Sequence, residues 1–175
     1  MTNRKPLQSA NQSASRAARM WRVALASERP HGCGTAALRQ VCLQDAAPVA
    51  ALARQAFLGG PDEASEDVLY RKVSAILEGS YGRFIPAASF VHASADGAID
   101  AAILVTDYPP YGAPVVALIV VAKRMRQWGI GTALVCHSLG ALRQQGHTGC
   151  CARITTGNLA SERLFQVCGF APGAN

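Results

Sequence analysis

The spacing of apolar residues changes period several times along the chain, and each change marks an element. Residues 35–43 read as a first strand. Asp45 then stands as a helix N-cap with Pro48 in the first turn, and Val49, Leu52, Ala53, Ala56 and Phe57 recur at helical spacing until Gly59 and Gly60 stop them. A second helix is predicted from a Ser65 cap to about Glu78, with Val68, Leu69, Val73, Ile76 and Leu77 on its apolar face. Two strand-like stretches, 89–94 and 98–106, flank Asp96 and Gly97, a pair that tolerates positive φ and so favours a tight antiparallel hairpin. Past a loop containing Pro109, Pro110, Gly112 and Pro114, residues 115–121 are a continuous apolar run rich in β-branched side chains, the pattern of a strand buried on both faces. A helix then follows from Leu134, Val135, Ser138, Leu139 and Leu142, ending at Gly146. Strands alternating with helices in this way predict a layered α/β (α+β) domain rather than a helical bundle or a β-sandwich.

Length and composition narrow this further. A chain of 175 residues, half of them apolar, supports one domain with a substantial core. The longest apolar run, 115–122, is far below the roughly 20 residues that cross a bilayer, so a soluble, cytoplasmic protein without a membrane partner is expected. The six cysteines show no CxxC spacing and no histidines at zinc spacing, which points to reduced, mostly buried thiols and no metal site. The net charge of +6 is concentrated: residues 1–30 hold six of the 17 basic residues and one of the 11 acidic ones, leaving 11 and 10 for the remainder. Residues 1–34 are therefore set aside as a disordered basic extension, and 35–175 taken as the folded domain. The extension is also rich in Ser, as organellar transit peptides are, and 17–26 could form a short helix around Met20, Trp21 and Leu25. No aromatic residues interleave with basic ones in the remainder, so no nucleic-acid groove is expected.

The candidate chemistry lies where the buried strand meets the following helix. Arg126-Gln127-Trp128-Gly129-Ile130-Gly131 places a Gly-x-Gly turn between them, leaving several backbone N–H groups unpaired at a helix N-terminus, where the macrodipole favours an anion. Glycine lets a ligand approach the main chain, and Arg126, with Lys123 and Arg124 nearby, adds positive charge. This turn resembles the Arg/Gln-x-x-Gly-x-Gly/Ala signature of the GNAT superfamily of N-acetyltransferases. A second stretch, 154–170, resembles that family's fifth strand and following helix: Asn158 opens the helix, Leu164-Phe165 follow, and Gly169-Phe170 end it. The resemblance covers residues 38–170 in element order. It implies a mixed, mainly antiparallel twisted sheet with helices on both faces, and acetyl-CoA or another acyl-CoA as acyl donor to a small-molecule or peptide amine. By position, the backbone of Ile119, Val120 and Val121 would pair with the pantetheine arm. The amides of Gln127, Trp128, Gly129, Ile130, Gly131 and Thr132 would hold the pyrophosphate, and Asn158 would hydrogen-bond the arm. The amine would attack the thioester directly, with no covalent enzyme intermediate.

The chain departs from the pattern at four places. Phe165 stands where many members have a tyrosine that protonates the departing thiolate, and neither Ser161 nor Cys168 on the same segment is pointed at the sulfur by the sequence. Residues 115–121 contain no carboxylate and Arg153 occupies a position that is Glu in some branches, so Asp107 is the candidate base, against a loop-capping role. His92 and His137 read as structural. The family's C-terminal hairpin is missing, which would leave strand 5 as an open edge for a partner subunit, as in a homodimer, for the N-terminal segment or for a loop, unless the chain is truncated. These departures together suggest the rival possibility of a catalytically silent acyl-CoA-binding or regulatory module.

Overall fold

Ten residues, 99–108, form the strand on which everything else is hung, because side chains on both of its faces are buried. The computed structural model describes residues 17–25 and 37–173. Its strands are β1 (Ala18–Ala24), β2 (Leu38–Gln40), β3 (Arg83–Phe84), β4 (Phe90–Ala93), β5 (Ile99–Tyr108), β6 (Ala113–Val121), β7 (Gly149–Thr155) and β8 (Ala171–Pro172). The helices are α1 (Ala46–Phe57), α2 (Glu66–Leu77), α3 (Ile130–Gln144) and α4 (Leu159–Val167). The sheet runs in the order β2-β4-β5-β6-β7-β1-β8, with β3 paired to β5, and is antiparallel except between β6 and β7.

Alternation along β5 divides the core in two. Ala101, Ile103 and Val105 face the α3 and α4 side, whereas Ala102 and Leu104 face α1 and α2. All five are fully buried; for Ile103, Leu104 and Val105, burial of each side chain contributes about 1.5–3 kcal/mol. On β6 the phase slips. Leu104 lies opposite Leu118 but Val105 lies opposite Val116, so Ala117 is an extra, bulged residue. As a result Val116 faces α3 while Leu118 and Val120 face α1 and α2.

The predicted hairpin forms through Asp96 and Gly97, with Gly97 at φ 82°. The first strand is shorter than the periodicity suggests, because a 3-10 turn over Leu43–Asp45 already leads into α1. Asp45 occupies the N-cap position without capping the helix. Its carboxylate turns back instead, accepting from the Cys42 N–H (2.9 Å) and from both terminal nitrogens of Arg39 (2.7 and 2.8 Å).

The main correction concerns the segment set aside as an extension. Residues 18–24 are neither helical nor outside the fold: β1 pairs antiparallel with β7 over seven residues, from Ala18 opposite Thr155 to Ala24 opposite Gly149, and its other edge pairs with β8. Trp21 is 9% exposed and belongs to the core. An open β7 edge offers a full row of unpaired backbone groups, and satisfying it outweighs the helix preference of the surrounding alanines. The remaining part of 1–34 lies outside the described residues, apart from Ala17 and Leu25.

Candidate active site

The β6–β7 pair is the opening in the sheet. These parallel strands hold register only at Val115–Cys151 and Val116–Ala152. Beyond them the main chain of 117–121 has no ladder on its β7 side, an open strand edge of the kind an extended ligand arm can pair with. Ile119, Val120 and Val121 line the resulting cleft.

At its far end the cleft meets the glycine turn. Gln127 (φ 69°) and Gly129 (φ 75°) are both left-handed, and Gln127 is the only non-glycine residue with positive φ among the described residues. Left-handed residues interspersed with extended and helical ones turn successive N–H groups into one concavity. The first backbone hydrogen bond of α3 is donated by Ala133 to the Gly129 carbonyl (2.9 Å), so the amides from Gln127 to Thr132 lie ahead of the helix ladder. A Cβ on Gly129 would meet nothing within 4 Å, so the main chain is open to approach at that point; one on Gly131 would lie 3.4 Å from the Leu164 methyls. The turn therefore has room and donors for a pyrophosphate, with Gly131 also setting the α3–α4 approach. Trp128 is 77% exposed and off the cleft wall, so only its main chain belongs to the turn. Arg126 lines the cleft but donates to the Ala56 carbonyl at the end of α1 (2.9 Å), and Lys123 donates to the Leu58 carbonyl (3.3 Å).

The cleft has two connected halves, about 630 Å³ toward the glycine turn and about 660 Å³ toward α2 and β7. Phe57, Asp62, Ile119, Asn158 and Ser161 line both. At their junction Thr155 Oγ1 donates to Asp62 Oδ1 and Asn158 Nδ2 to Asp62 Oδ2, each at 2.6 Å. Asn158 Oδ1 meanwhile accepts from the Ser161 N–H (3.1 Å), capping α4. Asn158 thus reaches the cleft as expected, with its side chain already committed to Asp62 and to the helix. Asp62, in the α1–α2 loop, is the acid that the sequence did not single out.

Other candidates fall elsewhere. Asp107 pairs with Arg83 (2.9 Å) at the end of β5 and does not line either half. Phe165 is 2% exposed, packs edge-on against Phe170 with ring centres 4.9 Å apart, and lines the second half without offering a proton. Lys72 of α2 lines that half too; burial pushes its ammonium below the ordinary lysine range, partly offset by the Asp62 charge. His137 Nδ1 is 2.9 Å from the Ala133 carbonyl, and His92 sits 3.9 Å from Asp100, whose carboxylate also holds Arg124. A larger cavity of about 780 Å³ flanks α3 beside Phe90 and His137, but no helix N-terminus opens on it. Among the described residues no helix is long and apolar enough to cross a membrane, and no group of three His, Cys, Asp or Glu residues is placed to hold a metal ion. Burial raises the Cys150 and Cys151 thiols above the ordinary cysteine range.

Comparison with known proteins bears on the family and the fold. The Acetyltransferase (GNAT) family profile matches residues 46–170. No curated protein matches the sequence. Among solved structures, a GCN5-related N-acetyltransferase from Sphaerobacter thermophilus superposes with a TM-score of 0.68 at 16% identity, covering 89% of this chain and 48% of that one. The chain thus spans about half the length of that relative. A GNAT superfamily phosphinothricin acetyltransferase from Sinorhizobium meliloti, in complex with AcCoA, gives 0.61 at 22% identity (79% and 76% covered). The ribosomal-protein-S18-alanine N-acetyltransferase from Escherichia coli gives 0.61 at 17% (78% of each).

Proposed function

The chain belongs to the GNAT acetyltransferase family, and from that premise we propose that it transfers an acetyl group from acetyl-CoA to a primary amine by direct attack. The observation that carries this is the continuity of one path: unpaired amides at the start of α3, the open edge of β6, and a second half-cleft reached past Asp62. Acetyl-CoA supplies the activated acetyl thioester, whose carbonyl the amine nitrogen would attack as the thiolate leaves.

The protein's part is positioning and charge. Amides of 127–132 hold the pyrophosphate at the positive end of α3, and the main chain of Ile119 to Val121 pairs with the extended arm, fixing the reacting carbonyl near the junction of the halves. Asp62, held by Thr155 and Asn158, accepts a hydrogen bond from the incoming amine and leads its proton out through the second half. Phe165 cannot donate to the departing sulfur. Ser161 lines both halves, and its hydroxyl takes that place in our proposal.

Isothermal titration with acetyl-CoA, paired with a thiol-release assay over amines and peptides, tests this. Binding with amine-dependent thiol release supports transfer. Binding without release from any acceptor favours the silent module that Phe165 suggests, and absence of binding overturns both.

A further inference from the structure

Four charged side chains line the acceptor half of the cleft, and they are not equally occupied. Asp62 receives Thr155 and Asn158, and Glu63 Oε2 accepts from the Gly59 N–H (2.9 Å), which turns it onto its own loop. Lys72 and Arg153 have no hydrogen bond or ion pair among the described residues. Lys72 shares one face of α2 with Val68 and Leu69, both lining the same half, so an ammonium is presented within an otherwise apolar wall. Arg153 is an exposed residue of β7 between the buried Ala152 and Ile154, on the opposite face of the strand from them. The acids of this half are engaged by donors from the protein and the cations are left for a ligand.

We propose that the acceptor is a small amine that also carries an anionic group, an α-amino acid being the simplest member, with its anion held by Lys72 and Arg153 and its amine facing Asp62. This rests on the acetyl-transfer function proposed above and adds the substrate class. The Asp62 charge offsets the desolvation of the half-buried Lys72 ammonium only in part, a bound carboxylate would offset more of it, and a guanidinium presents a fork that matches a planar anion. A pocket of about 660 Å³ is of the size that encloses a small molecule. The two cations also discriminate, because a plain amine would leave both unsatisfied and add a third positive charge beside them.

The test uses the full chain with acetyl-CoA and three acceptor sets: the proteinogenic α-amino acids, their decarboxylated amines, and their α-amides. Thiol release with KM and kcat resolved is the readout, and calorimetric titration of the same compounds into the CoA-saturated protein reads binding where turnover is slow. At least one amino acid should surpass its decarboxylated and amidated forms by roughly tenfold or more in kcat/KM, the loss of one charge-assisted contact. Lys72→Met should raise KM for that amino acid by a similar factor, narrow or abolish its advantage over the decarboxylated amine, leave the acetyl-CoA affinity unchanged, and be largely rescued by Lys72→Arg. If decarboxylated amines are used as well as or better than the acids, or Lys72→Met leaves KM unmoved, the anion site is wrong while acetyl transfer stands. If acetyl-CoA does not bind, transfer itself fails and this inference with it.

Discussion

Asn158 Nδ2 lies 2.6 Å from Asp62 Oδ2, tying the first residue of the α4 cap to a loop 96 positions earlier in the chain. The contact spans the junction of the two half-clefts, which in the proposed reaction is where the acceptor nitrogen meets the thioester. Asp62→Asn keeps the size of the side chain and removes its charge. We expect kcat to fall by about 10²-fold, the lower end for a positioned proton acceptor, with the acetyl-CoA Kd unchanged. Unaltered kcat would assign Asp62 to loop anchoring alone.

Gly129 combines positive φ with open space where a side chain would project. Gly129→Glu costs about 1–2 kcal/mol in backbone strain and directs a negative side chain into the anion cradle. Acetyl-CoA affinity should drop by more than about 100-fold, the equivalent of roughly 2.7 kcal/mol. Calorimetry with circular dichroism as a folding control checks this, and retained affinity would falsify the pyrophosphate assignment.

Ser161, three residues beyond the α4 cap, bears the hydroxyl among the residues that line both halves of the cleft. Ser161→Ala should reduce kcat by about tenfold or more while leaving KM for both substrates within a factor of about two. An unchanged rate would leave thiolate protonation to solvent.

The parts of this site that were legible in the sequence are those with local causes. A glycine turn after an apolar strand announces itself within six residues, and the 89–106 hairpin follows from one Asp-Gly pair. Asp62 was hidden because its partners, Thr155 and Asn158, are brought to it only by the tertiary fold. The bulge at Ala117 was hidden because every residue from Val115 to Val121 is apolar, so a slip of phase leaves no trace in the pattern. In β1 a period-2 signal was present, with Trp21, Val23 and Leu25 alternating with Arg22 and Ala24, but the neighbouring alanines and arginines read as helix or tail.

Arg39 holds the Asp45 carboxyl down at about 2, below its usual 3.8, and the Cys42 N–H adds to this. A carboxylate with a depressed folded-state pKa stabilises the protein above its unfolded pKa and loses that contribution as pH falls through the folded value. Thermal stability should therefore decline between about pH 4 and pH 2 in the native chain. Asp45→Asn should be less stable at pH 7 and lack this part of the decline; melting curves across the window compare them. Since Asp45 anchors the turn into α1, whose Ala56 and Phe57 line the half toward the glycine turn, acid should weaken acetyl-CoA binding in the same range if the proposed site holds it.

Trp21 joins three parts of the molecule: it lies opposite Ala152 on β7, opposite Pro172 on β8, and within the core cluster that includes Leu134 and Phe165. Its neighbour Arg22 donates to the Tyr111 carbonyl (3.0 Å), and Ala18 lines the acceptor half, so the same strand shapes the site. Trp21→Ala removes a buried indole and should cost roughly 3 kcal/mol, which for a domain of this size is about 10 °C in Tm. The acceptor KM should rise with it, because β7 loses the strand that fixes its outer edge. Deleting residues 1–25 goes further, uncovering the whole β7 edge, and should produce association or aggregation detectable by light scattering. A deletion variant with the native chain's association state and an unchanged Tm would show that β1 is dispensable to the sheet.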